Sequence, residues 1–233
     1  MNPLGWFTAD EWQAIRLSLA VAARSIAFGL PLAVLAATAL SRGRFVGRPL
    51  LDAVVHLPLA LPPVVVGWGL LLLFGVRGPF GALLQHWFGV RLVFTTAGAA
   101  LATAVMSFPL MVRAIRLSLE AVDPGLEAAA RTLGAGPLDR FATVTLPLML
   151  PGILAGAVVA FAAGLGEFGA VITFASNIPG ETQTLPLAIY AAIQAPGGEA
   201  AAARLSAVSF ALAIAGLLLS ELVARRMHRL LGG

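Results

Sequence analysis

A chain of 233 residues that is 59% hydrophobic, only 11% charged and has a mean hydropathy of +0.93 is an integral membrane protein, since soluble domains hold about 25% charged residues. It contains no cysteine, which excludes disulfides, thiol nucleophiles and thiolate metal sites. All 15 basic residues are arginine, so the chain lacks the lysine of a P-loop ATPase, a Schiff base or a Ser–Lys pair.

In chain order, residues 3–13 hold Trp6, Phe7 and Trp12 beside Asp10 and Glu11, which suits a short interfacial lead-in. The start lacks the basic residues of a cleavable signal, so the first apolar run, residues 15–40, reads as a permanent span with Arg24 and Pro31 inside it. Arg42, Arg44 and Arg48 come next. The second span, residues 51–74, is interrupted by Pro58, Pro62, Pro63 and Gly67. Prolines free backbone carbonyls, which is tolerated at depth only against protein or a wet cavity. A pore-lining helix and a kink that only shapes packing both fit. Residues 77–91 read as a loop with Trp87 and Phe88 at an interface, and residues 93–115 as the third span, leaving through Arg113 and Arg116.

The rest of the chain is arranged around the polar stretch 123–151. Asp123 and Pro124 form a helix start, because the carboxylate caps free N–H groups and proline suits the first helical position. Leu126, Ala129, Ala130 and Leu133 recur on one helical face, and Gly134 is the stop. Pro137 opens a second short helix in which Leu138, Phe141 and Val144 share a face. The spacing thus predicts a helix pair outside the bilayer, within residues 119–147. A plain crossing needs fewer residues, and the small alanines let another surface approach the backbone closely, so a solvated connector and a docking surface both fit.

The fourth span begins near Leu148 and ends among Gly164, Gly166, Glu167 and Gly169. Residues 176–198 are rich in turns around an apolar stretch, 187–193, too short to span and suited to a re-entrant or surface helix. The fifth span covers residues 205–223, before Arg225, Arg226 and Arg229. The loop after the first span, the loop after the third and the tail carry three, four and three arginines. The opposite side has Arg77, Arg91 and Arg204. The positive-inside rule then places the N-terminus outside and the C-terminus in the cytoplasm.

Charges inside spans are costly unless paired or hydrated. Asp52 and Glu221 lie near basic ends, where pairing with an arginine suffices. Arg24 and Glu167 lie deeper and suit an interhelical ion pair, with a gate or oxyanion contact as the second role for Arg24. His56 fits a hydrogen-bonded helix-end residue better than a pore group. His56, His86 and His228 are too scattered for a metal site, and HExxH and GxSxG are absent. The glycines of GLGEFGA suit helix packing and a break rather than a phosphate loop.

The order Glu-x-Ala-Ala, then Gly134, nine residues, and Val-x-Leu-Pro resembles the EAA signature of ABC-importer permeases. In that register Ala128 holds the usual glutamate position, Glu127 lies one residue earlier, and Val144 replaces the usual isoleucine. The stretches HLPLALPPVVVG, AVMSFPLMVRAIRLSLE, GEFGAVITFASNIPGETQT and QAPGGE extend the resemblance over nearly the whole chain, to the molybdate-importer permeases. Sulfate and thiosulfate permeases share part of it, notably GEFGA. The resemblance implies an all-α permease of the type I importer fold with about five spans, in a bacterial inner membrane. It implies a homodimer, two cytoplasmic ATPase subunits in which ATP-Mg acts, a periplasmic molybdate-binding protein, and alternating access. No cofactor is then held by this chain and no nucleic acid is a partner.

On the same basis Glu127, Ala129, Ala130, Gly134, Leu146 and Pro147 are the expected ATPase-coupling residues. Pro58, Pro62, Pro63, Ser107, Glu167, Thr173 and Ser176 are candidate pore or gate residues. Tungstate or sulfate are alternative cargoes. A secondary transporter would need an internal repeat, and a membrane anchor without transport leaves the proline-broken span unexplained.

Overall fold

The computed structural model describes residues 6–231, which fold as helices and connecting turns with no strand among them. The first helix, α1 (Ala9–Arg42), starts at a capping box. The Thr8 hydroxyl accepts from the Glu11 N–H at 3.3 Å, and the Glu11 carboxylate accepts from the Thr8 N–H at 2.8 Å. From Ala9 on, the expected interfacial lead-in is therefore the first turns of the span itself; residues 3–5 lie outside the described residues. The buried stripe of α1 includes Ala22, Ser25, Gly29, Ala33 and Ala37. Side chains this small let it lie close against α5 (Thr96–Glu120). A Cβ on Gly29 would stand 2.8 Å from the Met111 methyl.

The second expected span is a bent pair, α2 (Arg48–Ala60) and α3 (Pro63–Phe74), which turn by 120° at their junction. Neither Pro62 nor Pro63 can donate a backbone hydrogen bond, and each holds the residue before it extended, so Leu61 leaves the helix at ψ 147°. At 12–13 residues each half is about 20 Å long, too short to cross ~30 Å of hydrocarbon alone. Residues expected to form a loop instead make α4 (Pro79–Phe88). Pro79 takes the first helical position, and Gly89 closes the helix at φ +65°.

Beyond α5 come α6 (Pro124–Thr132) and α7 (Pro137–Arg140), a π-helical turn (Phe141–Thr145) and α8 (Leu146–Leu165). The helical run from Pro137 to Leu165 is continuous. The expected second loop helix is thus the first turn of the fourth span, not a separate element. The helix α9 (Gly169–Ala175) lies between the expected end of the fourth span and the expected turns from Ser176. The expected short helix is α10 (Leu185–Gln194), and α11 (Glu199–Leu231) ends the described residues. Side chains of the tail arginines Arg225, Arg226 and Arg229 lie outside them. Four helical runs among the described residues are long and apolar enough to cross a membrane, and the bent pair makes a fifth if counted as one span.

The helices share two ends. At one, the end of α1, the start of α2, the end of α5 and α6 to α8 converge through Arg42–Glu127, Asp52–Arg116 and Ser118–Met149 contacts. This is the arginine-rich end. At the other, the start of α1 meets the turns after α9 and the start of α11, through Gln13–Gly180 and Glu11–Arg204. One core cluster near the basic end gathers Leu40, Val55, Met111, Ile115 and Met149. A second, toward the other end, gathers Val21, Leu70, Ala99 and Phe174.

Candidate functional site

The helix α6 begins as its sequence dictates: the Asp123 carboxylate accepts from the Gly125 N–H at 2.7 Å, with Pro124 at the first position. It ends in a Schellman turn. Gly134 sits at φ +88°, its N–H bonds the Arg131 carbonyl, and the Ala135 N–H bonds the Ala130 carbonyl, both at 3.1 Å. No residue of α6 or α7 is buried. Leu133 and Leu138 are 88% and 85% exposed, and Leu126 and Ala129 are exposed as well. The basic end therefore carries a projecting knob of small and apolar side chains, of the kind that marks a protein interaction site.

Glu127 points the other way. One carboxylate oxygen accepts from Arg42 Nη1 at 2.9 Å and the other from the Thr145 hydroxyl at 2.8 Å. It ties α6 to the end of α1 and to the π-helical turn. Of the remaining expected coupling residues, Ala130 and Gly134 shape the Schellman turn, Leu146 packs against the inner core cluster, and Pro147 is exposed. Thr145, 4% exposed, has no mark in the sequence that separates it from any other threonine near a span end.

In the membrane-facing part, two helix breaks meet. The α8 helix stops at Leu165 and α9 restarts at Gly169, against the α2–α3 bend: a Cβ on Gly169 would lie 2.7 Å from the Pro63 side chain. Glu167, in the break, accepts from the Ala170 N–H at 2.8 Å and so caps α9. Beside both breaks lies a cavity of about 190 Å³, lined by Leu59, Thr103, Ser107, Gly164 and Glu167 among others. Of the candidate pore residues it brings Ser107 and Glu167 together, with Pro62 and Pro63 at the adjoining bend. Ser107 donates to the Thr103 carbonyl at 2.8 Å, while the Thr103 hydroxyl itself is buried without a partner among the described residues.

The other candidates lie apart. Pro58 is inside α2 and does not line the cavity. Thr173 donates to the Gly169 carbonyl at 2.8 Å and packs on Gly67. Ser176 closes α9 at φ +67° and ψ −167°, a backbone conformation favoured by glycine, and is held in a turn in which the Thr182 hydroxyl accepts from the Ile178 N–H. That turn belongs to the end opposite the basic loops.

The span charges follow expectation in part. Asp52 pairs with Arg116 at 3.2 Å, as its position near a basic end suggests, and His56 Nδ1 lies 2.9 Å from the Asp52 carbonyl. Arg24 and Glu167 do not pair. Arg24 is exposed on α1 with no ion-pair partner among the described residues, because the helix turns it away from α5 and α8. An unexpected pair forms instead between Arg204 and Glu11 at 2.6 Å.

Comparison with known proteins adds to this geometry. Residues 29–231 match the family described as binding-protein-dependent transport system inner membrane component. The chain is 60% identical over 218 residues to the molybdenum transport system permease protein ModB of Escherichia coli (strain K12), covering 94% of this chain and 95% of that protein. It is 38% identical over 241 residues to the sulfate transport system permease protein CysT of Salmonella typhimurium (strain LT2), covering 100% of this chain and 86% of the relative. Among solved structures, a chain of a bacterial alginate ABC transporter in complex with an alginate pentasaccharide-bound periplasmic protein superimposes with a TM-score of 0.74 at 19% identity. That match covers 94% of this chain and 80% of the other, and it establishes the fold: an ABC type I importer permease.

Proposed function

The chain belongs to the binding-protein-dependent transport system inner membrane components, and from that membership we propose that it is the permease subunit of an ATP-driven importer that carries molybdate into the cytoplasm. The observation that carries the reading is 60% identity to a molybdenum permease along 94% of the chain, against 38% to a sulfate permease. It is a transport subunit, not an enzyme.

Residues 119–147 supply the coupling loop, and the exposed Leu126, Ala129, Leu133 and Leu138 supply the docking face for an ATPase subunit in which ATP-Mg acts. Two copies of the chain enclose the path, a periplasmic molybdate-binding protein delivers the ion to the end opposite the loop, and the basic end faces the cytoplasm. The arginine distribution supports that orientation. A small tetrahedral dianion needs a low-affinity route, since a tight cationic site would trap it. The cavity at the paired breaks fits that need: its lining offers the hydroxyls of Thr103 and Ser107 and no arginine.

Uptake of labelled molybdate tests the cargo, in cells that lack their own permease but hold the cognate ATPase and binding protein. Excess tungstate should compete and excess sulfate should not. Equal competition by sulfate would move the chain to the sulfate branch and leave the architecture standing.

A further inference from the structure

If α6 is pushed by an ATPase, something must carry that push into the spans. No residue of α6 is buried, and it is flanked by turns at residues 121–123 and 133–136 that would absorb a displacement. Apart from the Asp123 cap, the side-chain hydrogen bonds that leave α6 among the described residues are the two made by Glu127. They end on the last residue of α1 and on the last residue of the π-helical turn before α8. Both are short and charge-assisted, the stronger class of hydrogen bond.

Thr145 makes this contact a switchable one. Its single hydroxyl proton goes to the Glu127 carboxylate at 2.8 Å, yet the Arg140 carbonyl lies 3.5 Å away. A threonine in an α-helix ordinarily bonds back to the carbonyl three or four residues earlier, and in this π-helical turn the carbonyl within reach is the fifth. Glu127 thus competes with the helix for that proton at the place where the hydrogen-bond register is already loosened: the Leu146 N–H bonds the Phe141 carbonyl, five residues back. Single π-helical turns are points where a helix changes register.

Resting on the docking reading above, we propose that Arg42, Glu127 and Thr145 are positioning residues that form a clamp. It transmits the displacement of α6 to α1 and α8, with the π-helical turn as its hinge. When the clamp is made, α6 moves with both spans; when Thr145 turns back to Arg140, α6 moves alone.

The absence of cysteine allows a direct test, because one introduced cysteine per chain gives one spin-label distance between two copies. The full complex in nanodiscs, with cysteine-free ATPase and loaded binding protein, would carry the label at Arg131→Cys, exposed on α6 outside the apolar docking face, or at Leu83→Cys on α4, at the opposite end. ATP should change both distances in the otherwise unaltered chain. In Arg42→Met and in Thr145→Val, the Arg131 distance should still change while the Leu83 distance stays at its ATP-free value. Molybdate carried per ATP hydrolysed should fall about tenfold, and Thr145→Ser should restore both readings. A Leu83 distance that follows ATP fully in Arg42→Met and Thr145→Val overturns the clamp and leaves the docking reading intact. An Arg131 distance that ignores ATP in the otherwise unaltered chain, with the ATPase bound, overturns the docking reading itself and the clamp with it.

Discussion

Glu127 and Arg42 are 85 residues apart in the chain and meet at 2.9 Å at the basic end of the helix bundle. The contact joins the end of the first span to a loop helix that otherwise projects from the protein. Glu127 is the acidic residue of the EAA-like sequence, yet its carboxylate faces the spans, and the docking face is left to its apolar neighbours. On the proposed docking reading, that division separates residues that would receive the ATPase from residues that hold the loop.

The docking face can be tested without disturbing the clamp. Gly134 has φ +88° and open space where a Cβ would stand, so Gly134→Leu adds strain of about 1–2 kcal/mol at an exposed turn and meets nothing within the chain. Ala129→Arg likewise points outward. Both variants should insert normally and lose transport. Membrane fractionation with uptake assays checks this, and normal transport in either variant would contradict the coupling assignment.

The α3–α9 contact predicts a packing defect. A Cβ on Gly67 would lie 2.7 Å from both the Ala170 carbonyl oxygen and the Thr173 Cβ. Gly67→Val should therefore destabilise the protein by about 1–3 kcal/mol and lower its melting temperature in detergent. Gly69→Ala, with open space at the same helix, should leave the melting temperature unchanged.

The ion pair at the other end predicts a polar defect. The Glu11 carboxylate is 6% exposed and accepts from Arg204 at 2.6 Å. Arg204→Met removes that donor, which should destabilise the protein by about 1–3 kcal/mol, read as a lower melting temperature. Restoring the pair with the charges exchanged, Glu11→Arg with Arg204→Glu, should recover less than the original stability, because the Thr8 capping box is lost with Glu11.

Glu167 separates a capping role from a charge role. Glu167→Gln keeps an oxygen that can accept from the Ala170 N–H, whereas Glu167→Ala leaves the start of α9 uncapped. Melting temperature should be close to normal in Glu167→Gln and reduced in Glu167→Ala. Equal losses in the two variants would show that the charge, not the cap, is what the fold requires.

Much of this molecule is legible in its sequence because the bilayer imposes simple rules. Long apolar runs, clustered arginines and the Asp123–Pro124 and Gly134 signals led to the spans and to the limits of α6. Other features depend on tertiary geometry that periodicity does not encode. Pro62 and Pro63 announce a break in the second span but not a 120° turn. The segments forming α4 and α9 are short and lie beside glycine and proline, so the first reads as a loop and the second has no helical signal of its own. Arg24 and Glu167 sit at depths that suggested a pair, but α1 turns Arg24 outward while Glu167 is taken up by the start of α9. Thr145 and Arg204 gained their roles only when residues 18 and 193 positions away came into contact.

The most direct test of ATP-driven oxyanion import is accumulation of labelled molybdate in proteoliposomes that hold this chain with its ATPase. ATP would be supplied on the ATPase side and loaded binding protein on the other. Accumulation should require both, and should stop when the ATPase is replaced by a variant that binds ATP without hydrolysing it. Equal accumulation with and without ATP would contradict the account.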